Sequence, residues 1–316
     1  MTETGTDIGY AAALLRRGEV VAIPTETVYG LACNALATAA VVKVYETKGR
    51  PQFNPLIVHI ARREEMERYA EVPLLAHRLA EHFSPGPLTF VMRKKSPVPD
   101  ITTGGGDTVA LRIPAHPVAL ALLAQLDFPL AAPSANPSGY VSPVTAAHVA
   151  EGLGGKIPYI LDGGPCTIGL ESTVIAFESG TIIVLRAGGV TVEALRAFAP
   201  VEVRTHAQPA AGSPGLLKSH YAPRTRLVLG DLQTLLGEYR TKRLAVLSLS
   251  DIPRGENIVA SEVLSPGSDL TEAARNLFAA MRRLDAAGAE LIVAERMPEH
   301  GLGLAINDRL ERAAAT

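Results

Sequence analysis

The chain has 316 residues, at or above the size where a single core tends to divide, so one large domain or two are expected. Hydrophobic residues make up 47% and charged residues 20%, which excludes disorder as a description of the whole. The formal charge of -2 leaves no domain-wide basic footprint for nucleic acid, and two cysteines, Cys33 and Cys166, are too few for a disulfide scaffold or a cysteine zinc cage.

Residues 7–17 predict a helix, with Ile8, Ala12 and Leu15 on one face and Gly18 at its end. A short buried strand follows at 19–23 and stops at Pro24. After a loop come a helix at 39–48, a strand at 56–60 and a helix at 73–83. Strands at 88–92, 109–113 and 130–133 continue the series, with helices at 116–125 and 145–152. Strands return at 158–162, 172–177 and 181–185, the last two close enough to pair antiparallel around Ser179-Gly180. Such a mixture predicts an α/β fold: an open, mixed, twisted sheet flanked by helices. Residues 206–224 carry three prolines and two glycines without any period, and read as a linker or a lid. Beyond them strands at 226–229, 243–249 and 290–294 alternate with helices at 269–286 and 303–314, a smaller C-terminal α/β domain. Asp269 and Glu272 have capping-box spacing ahead of an apolar face of Leu270, Ala274, Leu277, Met281 and Leu284. The boundaries are therefore 1–205, a 206–224 linker, and 225–316.

Several chemistries are missing from the pattern. There is no G-x-x-x-x-G-K-[ST] loop, and Gly104-Gly105-Gly106 runs into a strand instead of opening a helix. No H-E-x-x-H or paired C-x-x-C occurs, so no structural metal is expected. Ser134 is not in a nucleophile elbow. The start lacks a basic and apolar leader, and the longest apolar runs, such as 118–126, are too short to span a bilayer; a cytoplasmic protein without membrane contact is expected.

Several constellations remain. Pro24-Thr25-Glu26-Thr27-Val28-Tyr29-Gly30-Leu31 follows a buried strand, where loops of open sheets gather ligands; its three hydroxyls and one carboxylate suit a polar small molecule, or its hydroxyls merely form an ST-turn. Lys48-Gly49-Arg50-Pro51 ends a helix, either as a polyphosphate clamp or as a complement to the helix dipole. His59 faces out of an aliphatic strand, a core residue or a ligand. Thr108, Ala110 and Arg112 share one strand face, and an arginine there needs a carboxylate, from a structural acid or a substrate. Pro133-Ser134-Ala135-Asn136-Pro137-Ser138-Gly139 would allow close backbone approach to a ligand, or is an ordinary Pro/Gly loop. Glu171-Ser172-Thr173 and Arg186 sit at strand edges. Together, three arginines, a lysine and hydroxyl-bearing loops at strand ends fit a site for an anionic nucleotide and a small zwitterion.

These motifs carry a resemblance. The 24–31 segment, Lys48-Gly49-Arg50-Pro51 with Asn54-Pro55-Leu56-Ile57-Val58-His59, and Ala132-Pro133-Ser134-Ala135-Asn136 resemble the YrdC family. Ser213-Pro214-Gly215, His220-Tyr221-Ala222-Pro223 and Gly301-Leu302-Gly303-Leu304-Ala305-Ile306-Asn307 resemble its long, two-domain members, the threonylcarbamoyl-adenylate synthases. The resemblance runs over nearly the whole chain in the expected order. The run Leu216-Leu217-Lys218-Ser219 departs from it, since more basic or aromatic residues are usual there.

The resemblance implies a YrdC-like catalytic domain with a Rossmann-like C-terminal one, and a reaction in which L-threonine, bicarbonate and ATP give threonylcarbamoyl-AMP and pyrophosphate. A separate tRNA threonylcarbamoyltransferase would then modify the adenosine beside the anticodon of tRNAs reading codons that start with A. Carried over by motif, Thr27, His59, Arg112, Ala132 and Ser172 would line the threonine pocket. Arg50, Asn54, Thr108, Ser134, Ser142, Arg186 and Tyr221 would hold ATP, and Lys48, Arg50, Ser134 and Asn136 would surround the reacting phosphate. Mg²⁺ would travel on the phosphates. The alternatives are a double-stranded RNA or tRNA-binding module without turnover, against which Arg93-Lys94-Lys95 is the longest basic run, a carbamoyltransferase, and a sensor of threonine and ATP. Direct contact with tRNA is compatible with the first reading as well.

Overall fold

The computed structural model describes residues 1–204 and 220–315. They fall into two compact units. One holds Met1–Ser138, Pro143–Thr167 and the stretch from Glu171; the other holds Gly139–Ser142, Ile168–Leu170 and the C-terminal stretch.

The first unit is built on an 11-stranded mixed sheet. Its order is Glu3–Gly5, Tyr159–Leu161, Val21–Ile23, Gly30–Asn34, Leu130–Ala131, Ile57–His59, Thr108–Arg112, Leu88–Arg93, Thr173–Glu178, Thr181–Arg186 and Val201–Val203. Helices Ile8–Arg16 and Pro117–Ala124 bury Leu14, Leu15, Leu122 and Leu123 against Val21, Ile23, Leu130 and Tyr159. With aromatics at only 5% of the chain, this core rests on aliphatic side chains. The hairpin at Ser179-Gly180 forms as the sequence predicts. Both residues take positive φ, 47° and 82°, the backbone that matches strand twist in a two-residue turn.

Some elements differ from expectation. Gly30–Asn34, expected as loop, is a central strand. Its small residues carry little strand propensity, but the space is tight: a Cβ on Gly30 would stand 3.1 Å from that of Ala132. The strand expected at 130–133 is only Leu130–Ala131, since Pro133 has no N–H to give the ladder. Glu3–Gly5, Val201–Val203 and the short helix Val192–Arg196 were not foreseen; each is brief and lies at or near a sheet edge.

The second unit has a four-stranded parallel sheet ordered Leu227–Gly230, Leu291–Glu295, Leu244–Ser248 and Ile258–Val263. The last of these is an edge strand with a polar, half-exposed pattern that hides it in the sequence. Helix Leu270–Asp285 is capped by Asp269, whose Oδ1 accepts from Thr271 N–H at 2.7 Å. The expected reciprocal bond from Glu272 is replaced. Ser265 Oγ stands between them, accepting from Asp269 N–H at 2.9 Å and donating to Glu272 Oε2 at 2.5 Å. Among the described residues no helix is long and apolar enough to cross a membrane.

Candidate active site

The loop from Pro24 to Tyr29 joins two adjacent antiparallel strands, so its ends are fixed by the sheet. Thr25 fulfils the turn reading: its Oγ1 accepts from the N–H groups of Thr27 and Val28 at 3.2 Å, donates to Val28 O at 2.6 Å and lies 2.8 Å from Thr27 Oγ1. Tyr29 Oη anchors the far end against Gly164 O at 2.7 Å. This scaffold holds Glu26 and Thr27 in fixed, buried places.

Arg112 ends the strand beside Ile57–His59, in register with His59. Its carboxylate partner is Glu26: Nη2 donates to Glu26 Oε1 at 2.7 Å, with the residues 4% and 5% exposed. Nε reaches Gly86 O at 3.3 Å. Glu26 is the one carboxylate of the 24–31 segment, which the sequence offers to a polar small molecule without showing its protein partner. The available signal was the need of a strand-facing arginine for an acid.

His59 is buried, and its Nδ1 lies 3.2 Å from Ile57 O. Burial first, and then the Arg112 charge, pushes it down to about 3, so the ring is neutral at pH 7. Its folded value lies below the ordinary 6.5, so on acidification the unfolded chain takes the proton first. Stability is then lost from about pH 6.5 downwards, at about 1.36 kcal/mol per pH unit, until the folded value is reached. Urea titrations should accordingly find that wild type loses about 2–3 kcal/mol more than His59→Gln between pH 7 and about pH 4.5. Equal losses would mean that His59 titrates freely.

Ser172 and Arg186 are brought together. Arg186 Nη2 donates to Ser172 O at 2.8 Å, and Ser172 Oγ lies 2.7 Å from Thr89 Oγ1. Thr108 stands on the same strand face as Arg112, and its Oγ1 is buried with no hydrogen-bond partner among the described residues. Ala132 N–H donates to Ile57 O at 3.0 Å, which seats it on the sheet.

Lys48 ends helix Thr38–Lys48, and the left-handed Gly49, φ 63°, turns the chain towards Arg50. The ammonium does not serve its own helix's carbonyls. It donates to Ser134 O at 2.6 Å and Asn136 O at 2.5 Å, and its backbone carbonyl receives Ser138 N–H at 2.8 Å. Arg50 Nε and Nη2 donate to the carbonyls of Asn54 and Pro55. Burial, with Arg50 beside it, holds the Lys48 ammonium well below its ordinary value. Lys48 thus ties Ser134 and Asn136 to its helix end, while Arg50, bonded to the Asn54 and Pro55 carbonyls, acts on Lys48 through its charge.

Two predicted nucleotide residues, Ser142 and Tyr221, belong to the second unit. Tyr221 is buried there, its ring 4.0 Å from His220 and 5.7 Å from Phe278. Residues 206–219 of the expected lid lie outside the described residues. Among the described residues no three His, Cys, Asp or Glu side chains group as metal ligands.

The pattern of the family described as "Telomere recombination", of Sua5, YciO and YrdC proteins, matches residues 13–188. That described as "Threonylcarbamoyl-AMP synthase, C-terminal domain" matches residues 190–315. A threonylcarbamoyl-AMP synthase of Pyrococcus abyssi is 42% identical over 97% of this chain and 94% of its own. One from Bacillus subtilis is 43% identical over 97% and 92%. The crystal structure of P. abyssi Sua5 complexed with L-threonine superposes with a TM-score of 0.90 at 40% identity, covering 99% of this chain and 97% of that one. With both patterns matched in order and relatives aligned nearly end to end, the chain belongs to the Sua5–YciO–YrdC family, among its threonylcarbamoyl-AMP synthases.

Proposed function

We propose that the protein joins L-threonine, bicarbonate and ATP into threonylcarbamoyl-AMP, releasing pyrophosphate, and that the product feeds a separate enzyme which transfers the threonylcarbamoyl group to the adenosine beside the anticodon in tRNA. The observation that carries this reading is one buried sheet surface of the first unit. It bears a paired Arg112 beside a neutral His59, and the same unit holds the Lys48–Arg50–Ser134–Asn136 group.

The threonine ammonium first gives a proton to solvent, and the free amine with bicarbonate then gives a carbamate and water. A carbamate oxygen then bonds to the α-phosphorus as the bond to the bridging oxygen breaks, and pyrophosphate leaves with the electron pair. Nucleophile and electrophile both carry negative charge, so the site must first cancel repulsion and then stabilise the leaving group. Lys48, Arg50 and Arg186 are the cations assigned to that task. Lys48 suits it physically: its buried charge is costly in the free protein, and an arriving polyphosphate offsets that cost. Mg²⁺ would come with the phosphates of ATP, where it would neutralise part of their charge.

In this reading Arg112 forks the threonine carboxylate, while Thr27 and Ser172 face its hydroxyl. Valine would leave that hydroxyl partner unpaired, and such a loss is worth about 10⁴-fold in sites built to bond a hydroxyl. Residues 1–205 are the proposed catalytic domain, 225–316 a second domain, and 206–224 a lid that keeps water from the labile adenylate. A pyrophosphate-release assay with threonine, serine and valine tests the reaction. Threonine-dependent release is expected, with valine near background; folded protein without threonine-dependent release would overturn it. Undiminished yield from a chain cut after residue 205 would remove the lid.

A further inference from the structure

The Glu26–Arg112 pair is half satisfied. Glu26 Oε1 is held by Arg112, but Oε2 is buried with no hydrogen-bond partner among the described residues. Arg112 uses Nη2 for Glu26 and Nε for Gly86 O, and Nη1 makes no hydrogen bond among them. A buried ion pair recovers its desolvation cost only when its remaining lone pairs and protons are also bonded. This one keeps an acceptor and a donor in reserve.

The groups around Glu26 do not fill the gap. His116 feels the Glu26 charge, yet burial, the larger influence, lowers its proton affinity, and its Nδ1 accepts from Val118 N–H at 3.2 Å. Cys166 also feels that carboxylate: burial, with the Glu26 charge adding, pushes its thiol up to about 12. Both are neutral at pH 7, so neither brings a positive charge to Oε2. Thr25 and Thr27 spend their hydroxyls on each other and on the turn. What remains is a carboxylate oxygen and a guanidinium nitrogen of one ion pair: the complement of an amino-acid zwitterion.

We propose that Glu26 is the residue that holds the α-ammonium of the amino-acid substrate, while the free edge of Arg112 takes its carboxylate. This rests on the reaction proposed above and adds to it the group that recognises the amine. The pair then does two things. It orients Arg112 before substrate arrives, and it makes the pocket selective for a zwitterion over an acid of the same shape, because a ligand without the ammonium leaves Oε2 bare. Charge-assisted hydrogen bonds of this kind discriminate by about 10- to 150-fold.

The test compares calorimetric binding of L-threonine with (2S,3R)-2,3-dihydroxybutanoate, which replaces the ammonium by a hydroxyl. Wild type is expected to prefer threonine by about 30-fold or more. In Glu26→Gln the preference should shrink to about threefold, mainly through weaker threonine binding, with thermal unfolding confirming the fold. Glu26→Asp keeps the charge on a shorter stem and should bind threonine less well but retain a preference. Equal binding of the two ligands by wild type would overturn the proposal, whichever variants fold. So would a proportional loss of both in Glu26→Gln, which would make Glu26 only a prop for Arg112. Wild type that binds no threonine at all would sink the proposed reaction as well.

Discussion

Lys48→Met is expected to lower the rate of threonine-dependent pyrophosphate release by about 100-fold or more while the protein stays folded and KM for threonine moves by less than about threefold. Methionine keeps the length and apolar body of the side chain, so the buried space stays filled. What is removed is a charge that the free protein holds at a cost: the ammonium is buried, lowered in proton affinity, and among the described residues is bonded to the carbonyls of Ser134 and Asn136 alone. Leaving those two acceptors unpaired costs about 1–3 kcal/mol each if no water reaches them, and removing the buried charge offsets part of that. Stability should therefore fall by about a few kcal/mol at most, and the loss of turnover should come at the step where pyrophosphate leaves. A collapse of the melting temperature with turnover per folded molecule preserved would show instead that Lys48 is a strut tying the 134–136 loop to its helix.

The two roles of Lys48 illustrate what the sequence makes legible. Its position at a helix end before Gly49 is readable from residue types, and so is the alternative that it complements the dipole. Which carbonyls it meets is not readable, because the 134–136 loop lies 86 residues away and arrives through the pairing of Gly30 with Ser134. The same long-range dependence hid Gly30–Asn34, whose small residues suit a strand only in context: at Gly30, Ala132 leaves no room for a side chain. Period-3.6 helices such as Leu270–Asp285 needed no partner to be recognised, and the hairpin at Ser179 announced itself through its turn. At the site, the Arg112 side chain signalled that an acid was wanted, but its identity depended on a loop 86 residues earlier. His59 was ambiguous from sequence; its burial beside Arg112 makes it a neutral ring, bonded to the backbone of Ile57 and Leu130.

Arg112→Met should destabilise the protein by about 3–5 kcal/mol and abolish threonine-dependent turnover, because it strands the Glu26 carboxylate in a buried site. The informative construction is the cycle with Glu26→Leu. If the two side chains form one unit, the double variant Arg112→Met/Glu26→Leu regains most of the lost stability, since an apolar pair of similar volume no longer pays to desolvate ions. Activity should not return with it: the double variant has neither the guanidinium for the substrate carboxylate nor the carboxylate for its ammonium. Urea unfolding checks the first half and pyrophosphate release the second. Additive destabilisation would mean that each ion answers to a different neighbour, and the 2.7 Å contact between them would lose its energetic meaning. Stability regained without activity would instead separate the two demands on this pair, since folding needs the charges only to cancel, whereas the reaction needs them present.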